Sequence, residues 1–191
     1  KKDDEKKGEL QEFLNDIAST SEKLSVSFTE EENAQLSFKL LKDNNETGIT
    51  FRGIPNGHEF TSLLLAVLNT DGQGKNFPDE AIQRRIKSLK GEIALKTYVS
   101  LTCTNCPDVV QALNLMSLIN PNIKHEMVDG GIYQQEVSAL TIQGVPAVYC
   151  NNESLHIGRG DLGILLQELE DMVGSEALEN EETIEREYDV I

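Results

Sequence analysis

Residues 101–116, LTCTNCPDVVQALNLM, set two cysteines three positions apart, follow the second with a proline and continue into a long apolar run. The stretch before them, EIALKTYVSL over residues 92–101, alternates like a strand, so the pair falls at a strand-to-helix junction. Pro107 suits a first helical turn, because the N–H it lacks would have had no partner there. This reading starts the helix at Cys103 and carries it to about Ile119, where Pro121 and Asn122 break it. A cysteine at that end of a helix faces unpaired N–H groups and the positive end of the dipole. Its ordinary pKa of ~8.5 can fall by several units in such a place. Cys103 is then the attacking thiolate, and Cys106, one turn inward and less exposed, resolves the mixed disulfide.

Two other readings of the pair compete. A closed zinc site wants four ligands, and no second CxxC follows; His58, His125 and His156 stand singly in different segments. A structural clip across so short a loop would remove little entropy from the unfolded chain.

Downstream, IKHEMV (123–128) reads as a strand that the helical crossover makes parallel to the first. The turn DGG leads to a short helix, IYQQEVSAL (132–140). After Gly144-Val145-Pro146 come the strand AVYC (147–150), the turn NNES and the strand LHI, and the helix DLGILLQELEDMV (161–173) closes the unit. The order β-α-β-α-β-β-α over about 80 residues is one small domain. Asp161 is placed to cap the last helix. Gly158 to Gly163 match GxGxxG in spacing, but they follow a hairpin rather than opening a βαβ unit, so no dinucleotide site is assigned. Cys150, ending an apolar strand, is read as a small buried hydrophobe. Beyond Gly174 the charged stretch SEALENEETIERE (175–187) reads as a linker.

Upstream the pattern is looser. LQEFLNDIAS (10–19) has helical spacing; KLSVSF (23–28) and QLSFKLLK (35–42) alternate like strands; KDNNETG is a turn before ITFR (49–52), and the three strands suggest a meander. HEFTSLLLAVLN (58–69) is so apolar in its later turns that it is expected to be buried. DEAIQRRIKSLK (79–90) is an amphipathic helix with Gly91 as its stop.

The 191 residues are 38% hydrophobic and carry a net charge of −16, which opposes binding to nucleic acid and to anionic membranes. No run approaches the ~18 apolar residues of a spanning helix. Three cysteines do not form a secreted disulfide framework, so a soluble, cytoplasmic chain is expected.

The strand–helix order and the position of the CxxC resemble the thioredoxin superfamily. Three strings, YVSLTCTNCPDVVQALNLMSLINPNIKHEMVDGG (98–131), GVPAVY (144–149) and GHEFTSLLLAVL (57–68), further resemble the N-terminal domain of the flavoprotein subunit of bacterial alkyl hydroperoxide reductase. That resemblance implies an α/β chain of two fused thioredoxin-like folds: an abbreviated one without cysteines (1–91) and one with the CxxC (92–174). Residues 175–191 would be a linker, with YDVI the entry to a missing flavin-binding domain. It implies a cis Pro146 opposite the cysteines, with Val145 and Pro146 binding a disulfide-bearing substrate and the Val145 backbone offering it strand-like hydrogen bonds. Glu59 becomes either a base for a thiol or simply a first-turn carboxylate favouring the helix dipole. The implied partners are a peroxiredoxin subunit and the flavin domain of the same polypeptide, with FAD and NADH held there and no cofactor in this chain. One departure stands out: between KLSVSF and ITFR there is no room for a βα crossover. Two alternatives remain open, a free-standing double-thioredoxin-like disulfide oxidoreductase and a redox-dead or metal-holding interaction domain.

Overall fold

A computed structural model describes residues 2–29, 35–74 and 76–176. Its backbone is a six-stranded sheet in the order β1-β2-β4-β3-β5-β6. At the centre, β3 (Ile93–Val99) and β4 (Ile123–Asp129) run parallel, with Ile93 opposite Ile123 and Val99 opposite Asp129. A parallel pair needs a crossover, and α4 (Cys106–Ile119) supplies it. Next to β3 lies antiparallel β5 (Ala147–Cys150), which turns through Asn151 and Asn152 into β6 (Glu153–Ile157). Both asparagines have positive φ, as a two-residue hairpin turn requires, so β6 starts inside the stretch NNES that was expected to be all turn. The helices α5 (Gln134–Ala139) and α6 (Leu162–Val173) complete the predicted order.

Strand alternation sorts the two faces. Leu95 and Val99 of β3 and Ile123 and Met127 of β4 lie under α4, while Tyr98 and Val128 turn to the opposite face beneath Val137 and Leu140. α4 is apolar nearly all round because it is packed between the sheet and other helices, with Val109, Val110, Leu113 and Met116 fully buried. Each such side chain contributes ~1.5–3 kcal/mol of transfer free energy.

The upstream half joins the same sheet. α1 (Lys2–Ser19) buries Leu10 and lays Phe13 and Ile17 on the core. β1 (Ser37–Lys42) and β2 (Asn45–Arg52) form a hairpin, and β2 pairs parallel to β4 with Phe51 opposite Met127. The expected three-strand meander is therefore a two-strand hairpin. KLSVSF is irregular: its alternation is present, but among the described residues no neighbouring strand accepts its hydrogen bonds, and alternation alone does not make a strand. The turn is also shorter than expected: Asp43 and Asn44, both with positive φ, make it, and β2 begins at Asn45.

A 3-10 turn, Gly57–Glu59, leads into α2 (Phe60–Asn69). This helix buries Leu63 and Ala66 but exposes Phe60, Leu64 and Leu68, so only one of its faces is covered, contrary to the expectation of full burial. α3 (Glu80–Lys87), capped by Asp79, stops before Gly91 because the chain there bridges to Ser175, the Lys90 N–H donating to Gly174 O and the Glu176 N–H to Ser88 O. The expected flavin-domain entry YDVI lies outside the described residues.

Candidate functional site

The cysteines sit where β3 gives way to α4. The helix opens at Cys106, not at Cys103; Thr104 and Asn105 bend ahead of it, and Pro107 takes the first turn. The N–H of Cys103 is already bonded to Ser100 O at 2.9 Å, which holds that residue in the preceding turn. Cys103 is partly exposed and Cys106 is completely buried; both are thiols. The Sγ–H of Cys103 points to Val145 O at 3.7 Å, and the Val145–Pro146 peptide is cis. The structure thus brings Cys103, Cys106, Val145 and Pro146 together from two segments far apart in the chain.

Glu59 arrives from the other half. Gly57 has φ +56, and a Cβ there would lie 2.7 Å from Leu101 O, so only glycine lets this turn press against the cysteine loop. The N–H of His58 then donates to the same Leu101 O at 3.1 Å, fixing the two segments together. Glu59 follows with 0% exposure, and among the described residues neither carboxylate oxygen has a hydrogen-bond partner within bonding geometry. Burial pushes its pKa up to about 7, with the nearby Ser62 hydroxyl drawing it slightly back. Burial also holds the Cys106 thiol well above its ordinary range; Cys103 and the Glu59 charge add to that effect, and the Ser100 backbone opposes it. Glu59 and Cys106 therefore face each other electrostatically: each ionises less readily when the other carries charge.

Such an arrangement suits thiol exchange. It offers a partly exposed outer thiol, a buried inner thiol held in its protonated form and a buried carboxyl that titrates near neutral pH. The strand-like Val145 carbonyl stands next to the outer sulfur.

The other singled-out residues serve the scaffold. His125 is buried between Thr97 Oγ1 at 2.8 Å and Asn114 Oδ1 at 2.7 Å, and burial lowers its pKa to about 3, so it is a neutral core histidine. His156 faces Glu168 at 2.9 Å. Cys150 is buried in the lower core. Asp161 caps α6, accepting from Ile164 N at 3.0 Å. Gly158 and Gly160 follow the antiparallel strand β6, a setting that does not form a dinucleotide site.

Sequence reasoning missed a cleft of about 270 Å3 between α2 and α4, whose largely apolar lining is interrupted by Ser62, Gln111 and Asn114. A polar side chain at each of these places on otherwise apolar helices was the available signal. It also missed Arg52, a buried arginine at the end of β2.

No family model matches the chain. The alkyl hydroperoxide reductase AhpF of Staphylococcus aureus is 43% identical over 188 residues, 98% of this chain and 36% of that protein. A Bacillus subtilis protein named NADH dehydrogenase is 44% identical over 167 residues, 87% of this chain and 32% of that one. The chain thus spans about a third of the length of these relatives. Among solved structures, the N-terminal N/C domain of the alkyl hydroperoxide reductase AhpF from Enterococcus faecalis superposes with a TM-score of 0.81 at 33% identity, covering 86% of this chain and 84% of that one. A protein disulfide oxidoreductase from Aeropyrum pernix shares the fold at 20% identity, with a TM-score of 0.61 over 66% of this chain and 56% of that one. A buried carboxyl from one half, a CxxC from the other and a shared sheet between them sit in a chain that matches a solved AhpF domain over most of both lengths, and the chain belongs to the family of AhpF N-terminal domains.

Proposed function

We propose that this chain is a dithiol–disulfide exchange module that passes reducing equivalents from a flavoprotein core to the disulfide of a peroxiredoxin, for peroxide removal. The observation that carries the reading is the joint placement of Cys103 at the surface, Cys106 beneath it, the cis Val145–Pro146 peptide alongside and the unpartnered Glu59 carboxyl behind. In this reading residues 92–174 supply the thiols, residues 1–91 supply Glu59 and part of the docking face, and residues 175–191 lead toward the flavin domain. FAD and NADH would be held by that further part. The stretch Gly158 to Gly163 does not fit a dinucleotide, since it follows a hairpin strand. Cysteines kept as working thiols suit a cytoplasmic, reducing compartment.

In the forward step the Cys103 thiolate attacks the substrate disulfide, forming a Cys103–substrate bond and expelling one substrate thiolate. Backbone groups of Val145 hold the substrate in an extended pose beside the sulfur. Glu59 then takes the proton of Cys106, whose sulfur attacks Cys103. The intramolecular disulfide forms and the second substrate thiolate leaves. The carboxyl carries the proton because burial has brought its affinity near that of the working pH, where proton exchange in both directions is easy.

Two cysteine variants test this with the dithiol-reduced chain and an oxidised peroxiredoxin. Cys103→Ser is expected to abolish transfer, while Cys106→Ser should accumulate a covalent mixed disulfide with the peroxiredoxin, visible by mass spectrometry. Undiminished peroxiredoxin reduction by Cys103→Ser overturns the assignment of the attacking thiol.

A further inference from the structure

A proton taken up by Glu59 has to leave again, and the carboxyl has no surface of its own. On the side of the cysteines stands Cys106, itself fully buried. On the other side stands Ser62, three residues on in the same helical segment and therefore on the same side of it. Ser62 is also fully buried, and its hydroxyl lies close enough to act on the Glu59 carboxyl. Its Oγ accepts a hydrogen bond from Gln111 Nε2 of α4 at 3.3 Å, which leaves the hydroxyl proton free to turn toward Glu59 or toward the cleft. Ser62 and Gln111 both line the cleft of about 270 Å3 between α2 and α4. The rim of that cleft carries the exposed Asn76, Asp108 and Asp161. Asn114, 3% exposed, lines the same cleft with an amide Nδ2 that no protein group accepts, which marks the space as one where a water or other polar group binds.

Resting on the reading of Glu59 as the proton acceptor, we propose that Ser62 is its proton relay, a positioning residue that connects the buried carboxyl to the α2–α4 cleft, with Gln111 holding it in place. The step balances simply. Protonated Glu59 gives its proton to Ser62 Oγ as the Ser62 O–H bond breaks toward a water or buffer base in the cleft. Glu59 is left as the carboxylate, and Ser62 is again a neutral hydroxyl. Protons and substrate thus use different sides of the site: substrate meets Cys103 at the Val145 edge, and protons leave between α2 and α4. A docked partner that covers the cysteines need not trap the proton.

The test follows the carboxyl itself. After a rapid pH jump across 7, time-resolved infrared spectroscopy of the reduced 191-residue chain records the protonated carboxyl band that disappears in Glu59→Gln. Ser62→Ala is expected to slow the deprotonation of that band by at least about tenfold, with its midpoint rising only slightly, and Ser62→Thr, which keeps a hydroxyl, should restore the rate. A purely structural role would shift the midpoint or the melting temperature without separating Ala from Thr. If the band titrates near 7 but relaxes equally fast in Ser62→Ala, the relay is wrong and the Glu59 reading stands. If Glu59→Gln removes no band titrating in that range, the Glu59 reading itself falls.

Discussion

The two faces of the sheet each carry a glutamate in a partly or wholly desolvated site, and they treat it in opposite ways. On the α4 face, Glu59 has no exposure and no partner for either oxygen. On the α5 face, Glu136 is met by a two-pronged contact from Arg52, one prong at 3.0 Å, and by the Tyr98 hydroxyl at 2.9 Å. Arg52 also lies 4.2 Å over the Tyr133 ring and 3.7 Å from Glu126. Burial raises the Glu59 carboxyl to about 7; the Arg52 hydrogen bonds hold the Glu136 carboxyl below its ordinary value against some burial in the other direction. Desolvation without a partner makes a group that trades protons, whereas desolvation with a matched fork makes a strut. The strut joins β2 of the upstream half to α5 of the downstream half, and so braces the sheet that the two halves share.

The contrast predicts stability–pH slopes of opposite sign. A carboxyl whose folded pKa is raised costs nothing below its unfolded pKa near 4.5, and costs progressively more as pH rises to about 7. Glu59→Gln should therefore match the parent chain near pH 4 and exceed its unfolding free energy at pH 8 by about 3 kcal/mol. Parallel stability curves for the two proteins in urea unfolding across that range would show that Glu59 is not desolvated in the way described. Glu136 behaves in reverse. Its pKa is lowered, so its contribution is present above the ordinary carboxylate range and is lost as pH falls through the folded value. Glu136→Gln should cost about 2 kcal/mol at pH 7, less than a fully buried broken pair because 32% of the Glu136 side chain is in water. That deficit should shrink as pH falls below the ordinary carboxylate range and vanish once Glu136 is protonated in the folded state, and a pH-independent deficit would remove the ion pair as its cause.

Much of this architecture was legible because it is local. The run from Ile93 to Asp129 forms strand, helix and strand in continuous sequence, so periodicity, Pro107 and Pro121 were enough to place them. Asp161 announced its cap for the same reason. What depended on distant groups was not legible from periodicity. KLSVSF alternates, yet a strand needs a neighbour that the segment itself cannot supply. The apolar content of α2 suggested burial all round, but the number of elements packed on it decides how many of its faces are covered, and one is. The start of α4 slipped to Cys106 because the Cys103 N–H is claimed by Ser100, a turn that helical spacing does not reveal. Glu59 entered as a candidate only through family resemblance; its burial beside Cys106 depends on Gly57 fitting against Leu101.

A third carboxylate separates the effect of a partner from the effect of burial. Asp161 accepts the Ile164 N–H at 3.0 Å, as Glu136 accepts the Arg52 fork, but it does so in water at the start of α6. Its side chain supplies an acceptor for one of the helix's unpaired N–H groups, and its charge lies at the positive end of the helix dipole. With no desolvation to offset, the effect should be modest: Asp161→Ala is expected to lower stability by about 1 kcal/mol, and Asp161→Asn, which keeps an acceptor oxygen but not the charge, by only a few tenths. Thermal unfolding of the two variants at low and high salt checks both parts. The Ala deficit should persist in high salt, where the dipole effect is screened, because most of it is the lost hydrogen bond. An Ala deficit that disappears with salt would mean that charge rather than the acceptor dominates at a solvated cap, and the contrast between Glu59 and Glu136 would then owe more to charge pairing than to hydrogen-bond satisfaction.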